Sequence, residues 1–146
     1  MQFLVRIPFA ETLGFELLRF ERDEADIAVE LRDELTNSWG VAHGGVTMTL
    51  LDVAMSHAAR SPGPSGEVET VGAATIEMKT TFLRPALGRL VAQARRLHRT
   101  PSMVFCEGSV FDADQQLVAH ATGTFKFLKG LPVGGGKRIQ RLNASD

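Results

Sequence analysis

Apolar and polar positions alternate along most of this chain, and one long stretch breaks the alternation. Ala25 to Leu31 places Ile27, Val29 and Leu31 on one side, the period of a strand with one buried face. Phe15 to Phe20 reads as a strand before it. In the second half, Ala74 to Leu83 alternates Ile76, Met78, Thr80 and Phe82 against Thr75, Glu77, Lys79 and Thr81, then stops at Arg84-Pro85. Arg89 to Leu97, Met103 to Phe111 and Leu117 to Leu128 follow, the last with Ala119, Ala121, Gly123, Phe125 and Phe127 on one face. Arg99-Thr100-Pro101 and Asp112-Ala113-Asp114-Gln115 are turn sequences, so these runs predict an antiparallel meander with one face on the core.

The break is Val46 to Ala59, with neither Pro nor Gly and with Leu, Met and Ala throughout, which predicts a helix apolar on almost every side. Residues 7–14 predict a short helix before the first strand, with Pro8 near its start and Gly14 as its stop. Asp33 to Trp39 is a polar loop leading to the long helix, and Ser61-Pro62-Gly63-Pro64-Ser65-Gly66 ends it. The expected architecture is α+β, one long central helix on a strongly curved antiparallel sheet of five or six strands. One helix covers one face of such a sheet, so the other face or an edge is expected to meet a second subunit.

Composition narrows the function. A formal net charge of −1 carries no electrostatic footprint of nucleic-acid binding. No apolar run approaches the roughly 20 residues that span a bilayer, and Met1 to Arg6 lacks the layout of a signal peptide. The expectation is a cytoplasmic protein without membrane contact. The single cysteine, Cys106, excludes an intrachain disulfide framework and is expected to be a buried, inert thiol. His43, Asp52 and His57 have no metal-ligand spacing, and the glycines form no phosphate loop, so no metal is expected.

One carboxylate, Asp52, lies near the centre of the long helix, where burial costs several kcal/mol unless compensated. Gly45, Thr49, Asp52 and Ser56 fall at helical spacing and form a polar stripe flanked by Met48, Leu51, Val53 and Met55. The stripe suits either a solvated helix edge or a site, and the apolar flanks favour the site. Gly44 and Gly45 let another group approach the first-turn amides, which carry the positive end of the helix dipole and can polarise a carbonyl. Close packing against a strand explains the same glycines. His43 suits a substrate contact or a helix cap, and Asn37 suits a carbonyl or water contact or a turn.

The motif Asn37-x5-His43-Gly44-Gly45-x6-Asp52-x3-Ser56 resembles the signature of hotdog-fold acyl-CoA thioesterases, in particular the PaaI-like and 4-hydroxybenzoyl-CoA thioesterase group. Thr75 to Pro85 resembles that family's strand after the helix, and Asp112 to Ala119 its last hairpin; the likeness spans roughly Phe9 to Leu128. The resemblance implies a single hotdog thioesterase domain over 1–129, followed by a flexible tail over 130–146. It implies hydrolysis of an acyl-CoA to free acid and CoA, with coenzyme A part of the substrate and no cofactor. Asp52 would be the nucleophile or the base that activates water, and Gly45 with Gly44 would polarise the carbonyl. Asn37 and His43 would hold the carbonyl or the leaving sulfur, and Ser56 would assist. Thr75 would contribute a hydroxyl. Met48 and Phe82 are candidate acyl-pocket walls, and Arg84, Arg96 and Arg99 are candidate partners for the coenzyme A phosphates. A non-catalytic acyl-CoA-binding module and, further off, a hotdog dehydratase or hydratase are the alternatives.

Spacing adds a constraint. Gly44 and Asp52 are separated by roughly 12 Å along one helix, too far for both to act on one thioester. The expectation is a homodimer, or a homotetramer built from dimers, with each site using Asn37, His43 and Gly45 of one subunit and Asp52 and Ser56 of the other.

Overall fold

The computed structural model describes residues 1–67, 71–132 and 138–146. A short helix, α1 (Pro8–Leu13), opens with proline and stops at Gly14, whose φ of 76° is left-handed. Strands β1 (Glu16–Glu21) and β2 (Glu24–Glu30) form a hairpin, and a 3-10 turn (Asp33–Leu35) leads to the long helix α2 (Gly44–Arg60). Then come β3 (Gly72–Phe82), β4 (Arg89–Arg99), β5 (Met103–Phe111) and β6 (Leu117–Leu128). The elements expected from periodicity are all present, with ends shifted by a few residues. In the segment expected as a tail, β7 (Leu131–Pro132) pairs with β8 (Arg138–Ile139), and Asn143 bridges to Val5. Gly134, Gly135 and Gly136 lie outside the described residues.

β1 to β6 form one antiparallel sheet in the order β1-β2-β4-β5-β6-β3. The expected meander therefore holds only for β4-β5-β6, because β3 pairs with β6 at the far edge. The reason lies in residues 83–88, which cross the end of the sheet instead of turning back as a hairpin. Along the way the amides of Leu83 and Arg84 donate to Val118 O, Ala86 O accepts from Ala42 N at 2.9 Å, and Gly88 O accepts from Leu31 N at 2.9 Å. These bonds fasten the connection first to β6, then to the approach of α2, then to the end of β2. β4 is delivered beside β2, and β3 stands at an edge of the sheet, unpaired on its far side among the described residues.

α2 lies across the sheet with Leu50, Leu51, Ala54, Met55 and Ala58 fully buried. Glycines at two sheet positions bring it close. A Cβ on Gly108 would sit 3.2 Å from Leu51 Cδ2, and one on Gly123 would sit 3.2 Å from Met55 Cε. Ala119, Ala121 and Phe125 on β6 face the helix as their alternation predicts. The outer face of the sheet is polar, with Glu77 accepting from Thr124 and Arg95 paired with Glu107, each at 2.7 Å.

β3 departs from strict alternation. Thr75 pairs with Phe125 and Glu77 with Thr124, so Ile76 is an extra residue, a bulge. Alternation alone would put Thr75 with Glu77 on the outer face. The bulge turns Thr75 to the helix side, in phase with Met78, and leaves Ile76 exposed.

Candidate active site

The start of α2 is built around its cap. His43 is extended, with φ −60° and ψ 136°, and its Nδ1 accepts from Gly45 N at 2.9 Å. The ring proton then sits on Nε2, a donor left over after capping. The Gly45 amide is thus engaged by His43, while the Gly44 amide, first in the helix, has no acceptor within it. A Cβ on Gly45 would stand 3.0 Å from His43 Nδ1, so a side chain there would crowd the capping ring. Gly44 packs under Phe82, whose ring a Cβ would meet at 3.4 Å.

Asn37 holds the approach to this helix start. Its Oδ1 accepts from Trp39 N at 2.9 Å and its backbone N donates to Val41 O at 2.8 Å, a side-chain-stabilised turn. Among the described residues nothing accepts from its side-chain NH2. Asn37, Gly44, Phe82 and Arg84 line one cavity of about 410 Å³. Arg84 is fixed there by a 2.7 Å bond from Nη1 to Leu117 O.

The middle of α2 carries the acid. Asp52 Oδ1 accepts a 2.6 Å hydrogen bond from Thr75 Oγ1, the hydroxyl that the bulge aims inward. Burial pushes the Asp52 carboxyl above its ordinary range, and the Thr75 bond pulls part of the way back. One turn further on, Ser56 Oγ donates to Val53 O at 3.0 Å and keeps its lone pairs. The stripe itself is the open side of the helix: Gly45 and Met48 are exposed, and Thr49, Asp52 and Ser56 half-buried.

The expected residues therefore fall into two groups. Asn37, His43, Gly44, Gly45, Phe82 and Arg84 gather at the start of α2; Asp52, Thr75 and Ser56 gather at its middle. Met48 lies on the open face between them. Arg99 joins neither group. It stacks 4.5 Å over the Phe127 ring, at the end of the sheet opposite Arg84. Arg96 pairs with Asp23 and donates to Ala59 O at 3.2 Å, tying the end of α2 to the β1–β2 turn. Cys106 is buried, and that burial pushes its thiol up to about 12.

Two residues that the sequence reading leaves out of the site stand beside it. His57, weighed above only as a metal ligand, and Arg60 are buried at the end of α2 and line a second cavity together with Ser56. Their signal was the spacing: Ser56, His57 and Arg60 share one turn of an apolar helix.

A carboxylate of raised affinity for protons, a hydroxyl that orients it, and a glycine-lined helix start with a bare amide suit the transfer of an acyl group to water. Comparison with known proteins agrees. The family model described as "Thioesterase superfamily" matches residues 40–119. The chain belongs to the thioesterase superfamily; its α+β architecture is the hotdog fold, and it is a thioester hydrolase. It is 27% identical over 137 residues to the medium/long-chain acyl-CoA thioesterase YigI of Escherichia coli, covering 84% of this chain and 87% of that protein. A conserved protein of Pseudomonas aeruginosa has a similar structure, with TM-score 0.76 and 28% identity over 86% of this chain and 97% of that one. A mutant form of the phenylacetic acid degradation protein PaaI of Thermus thermophilus is also similar, with TM-score 0.72 and 29% identity over 84% of this chain and all (100%) of that one. The resemblance to PaaI-like hotdog thioesterases expected from the motif is thereby borne out.

Proposed function

We propose that the protein hydrolyses an acyl-CoA thioester to free acid and CoA, at sites each built from two copies of the chain. Within one copy the helix start and Asp52 are separated by roughly 12 Å, and the stripe that joins them is the open face of α2. That single observation carries the reading. Two α2 helices laid antiparallel along this face bring Gly44, Gly45 and His43 of one copy opposite Asp52 and Ser56 of the other. The unpaired edge of β3, with Ile76 and Phe82 exposed beside it, supplies the seam. The polar outer face of the sheet is a poorer candidate for that first contact. The kinship with YigI supports the acyl-CoA class of substrate.

In the proposed site the Gly44 amide and His43 Nε2–H face the thioester carbonyl and stabilise the charge that grows on its oxygen. Asp52, held by Thr75, either attacks the carbonyl carbon itself or takes a proton from water that does so. The tetrahedral species collapses, the C–S bond breaks, and the CoA thiolate leaves and is protonated. Direct attack forms an anhydride with Asp52 that a water then opens.

The test is thiol release from a panel of acyl-CoAs by the wild type and by Asp52→Asn. Release confined to the wild type is the expected result; equal release by the mutant removes Asp52 from the mechanism. Mixing inactive His43→Ala with inactive Asp52→Asn should restore up to about a quarter of the sites on random exchange. No recovery despite demonstrated exchange would sink the shared site.

A further inference from the structure

The end of α2 holds a second cavity of about 430 Å³, and nothing in the hydrolysis just described uses its charged lining. Ser56 stands at its near side, one helical turn beyond Asp52, and Ala73 and Ala74 lead directly from it to Thr75. The cavity therefore begins where the acyl group of a thioester at Asp52 would extend. Val5, Ile7, Leu128 and Leu142 give it apolar walls suited to methylene groups.

Its polar lining is unusual. Arg60 is only 7% exposed, and among the described residues no carboxylate or carbonyl pairs with its guanidinium. Arg141 lines the same cavity and adds like charge; burial and that charge together hold the Arg60 guanidinium down to about 10. His57 is 3% exposed, wedged edge-on against Phe3 and Phe20. Its Nδ1–H donates to Val53 O at 2.7 Å, and its Nε2 is buried with no partner among the described residues. A buried, unpaired cation beside an orphaned ring nitrogen is costly to keep without an occupant. Elsewhere the fold satisfies its partly buried arginines, as Arg96 with Asp23 and Arg32 with Leu13 O show.

We infer that this cavity receives the far end of the acyl group and that the end carries a carboxylate paired with Arg60, so that the substrates are medium-chain ω-carboxyacyl thioesters. The inference rests on the acyl-CoA reading above. Asp52 and Arg60 are eight residues apart on one helix, a rise of about 12 Å. A chain on the order of six to ten carbons spans that rise, which makes octanedioyl-CoA the natural probe and octanoyl-CoA its control. A neutral methyl terminus would leave the guanidinium unpaired and would lose the charge-assisted bond.

The experiment measures kcat/KM for both esters with the wild type, Arg60→Met and Arg60→Lys. Loss of a charged hydrogen bond is worth about tenfold or more in affinity, so the wild type should favour octanedioyl-CoA by at least about that factor. The preference should collapse in Arg60→Met and be partly kept in Arg60→Lys. A wild type that favours octanoyl-CoA, or a ratio unchanged in Arg60→Met, overturns the inference. The wild-type ratio decides the matter even if Arg60→Met does not fold. A binding arm separates this inference from the reading beneath it. Free octanedioate should raise the Tm of the wild type more than octanoate does, and should lose that advantage in Arg60→Met. If no acyl-CoA is hydrolysed yet octanedioate still shows this pattern, the hydrolytic reading falls and the carboxylate site stands. If esters are hydrolysed and octanedioate stabilises no more than octanoate, the carboxylate site falls alone. Protection by free CoA that vanishes in Arg60→Met would assign the cation to a phosphate and equally overturn it.

Discussion

On the side of α2 turned to the sheet, Leu50, Leu51, Ala54, Met55 and Ala58 are fully buried. On the opposite side Gly45 and Met48 are exposed, and Thr49, Asp52 and Ser56 are half-buried. Both sides are rich in apolar residues, so hydropathy alone separates them poorly. What separates them is the row of glycine, hydroxyl and carboxylate groups at helical spacing on the open side, where the covered side has the single hydroxyl of Thr47. The covered side is optimised for packing; the open side keeps a carboxylate whose burial raises its proton affinity. Stability resides on the first side and chemistry on the second, which makes the two separable by mutation.

The largest effect expected is from Asp52→Asn, which should lower kcat by about 10² to 10⁴ while the Tm holds or rises. The sign follows from linkage. The folded Asp52 binds its proton more tightly than the unfolded one, whose value is near 3.8, so stability falls as pH rises from there through the raised folded value. An amide removes that penalty. A fall in Tm comparable to that of a core mutant would contradict the separation. The mirror experiment is Leu51→Ala on the covered side, with an expected loss of about 3 kcal/mol in denaturant unfolding. Its kcat per folded molecule should stay near that of the wild type.

His57 gives the opposite pH slope from the buried end of the helix. Its imidazole is pushed down to about 4 from 6.5 by burial first and by Arg60 next. The unfolded chain takes its proton first, so stability should fall by about 3 kcal/mol as pH drops from 6.5 towards 4. Urea midpoints across that range should show the slope in the wild type and lose it in His57→Phe. A smaller effect is expected at Thr75→Val. It removes the hydrogen bond that lowers the Asp52 value, so the acid limb of the kcat profile should move to higher pH, with a loss of about tenfold at its acid end. The smallest is Ser56→Ala, expected within about a factor of a few in kcat, because its proton is already given to Val53 O.

The helix and six main strands were legible because each has its own period: Val46 to Ala59 with no breaker, Leu117 to Leu128 with small and aromatic residues on one side. Strand order was not, because it depends on residues 83–88, whose four anchoring bonds join partners distant in sequence. At the site, Gly44, His43 and Asp52 were found from their spacing. The cap from His43 to Gly45 was legible only as one of two alternatives. Thr75 reached the candidate set through family resemblance; its alternation pointed away from the helix. Arg60 was not legible because a single arginine at a helix end usually lies in solvent, and the segments that line its cavity, among them the N-terminus, β3 and β8, come from distant parts of the chain.

The bulge at Ile76 is in effect a phase shifter. Upstream of it β3 runs on one parity and downstream on the other, so the residue offered to Asp52 and the residues packed near Met78 are set independently. Deleting Ile76 would restore a single parity to the whole strand. If pairing held from Glu77 onward, Thr75 would still stand opposite Phe125 and face the helix, and only the extra exposed residue between Thr75 and Glu77 would be lost. The hydroxyl would stay with the carboxylate, reached by a regular strand without the bend that the extra residue adds.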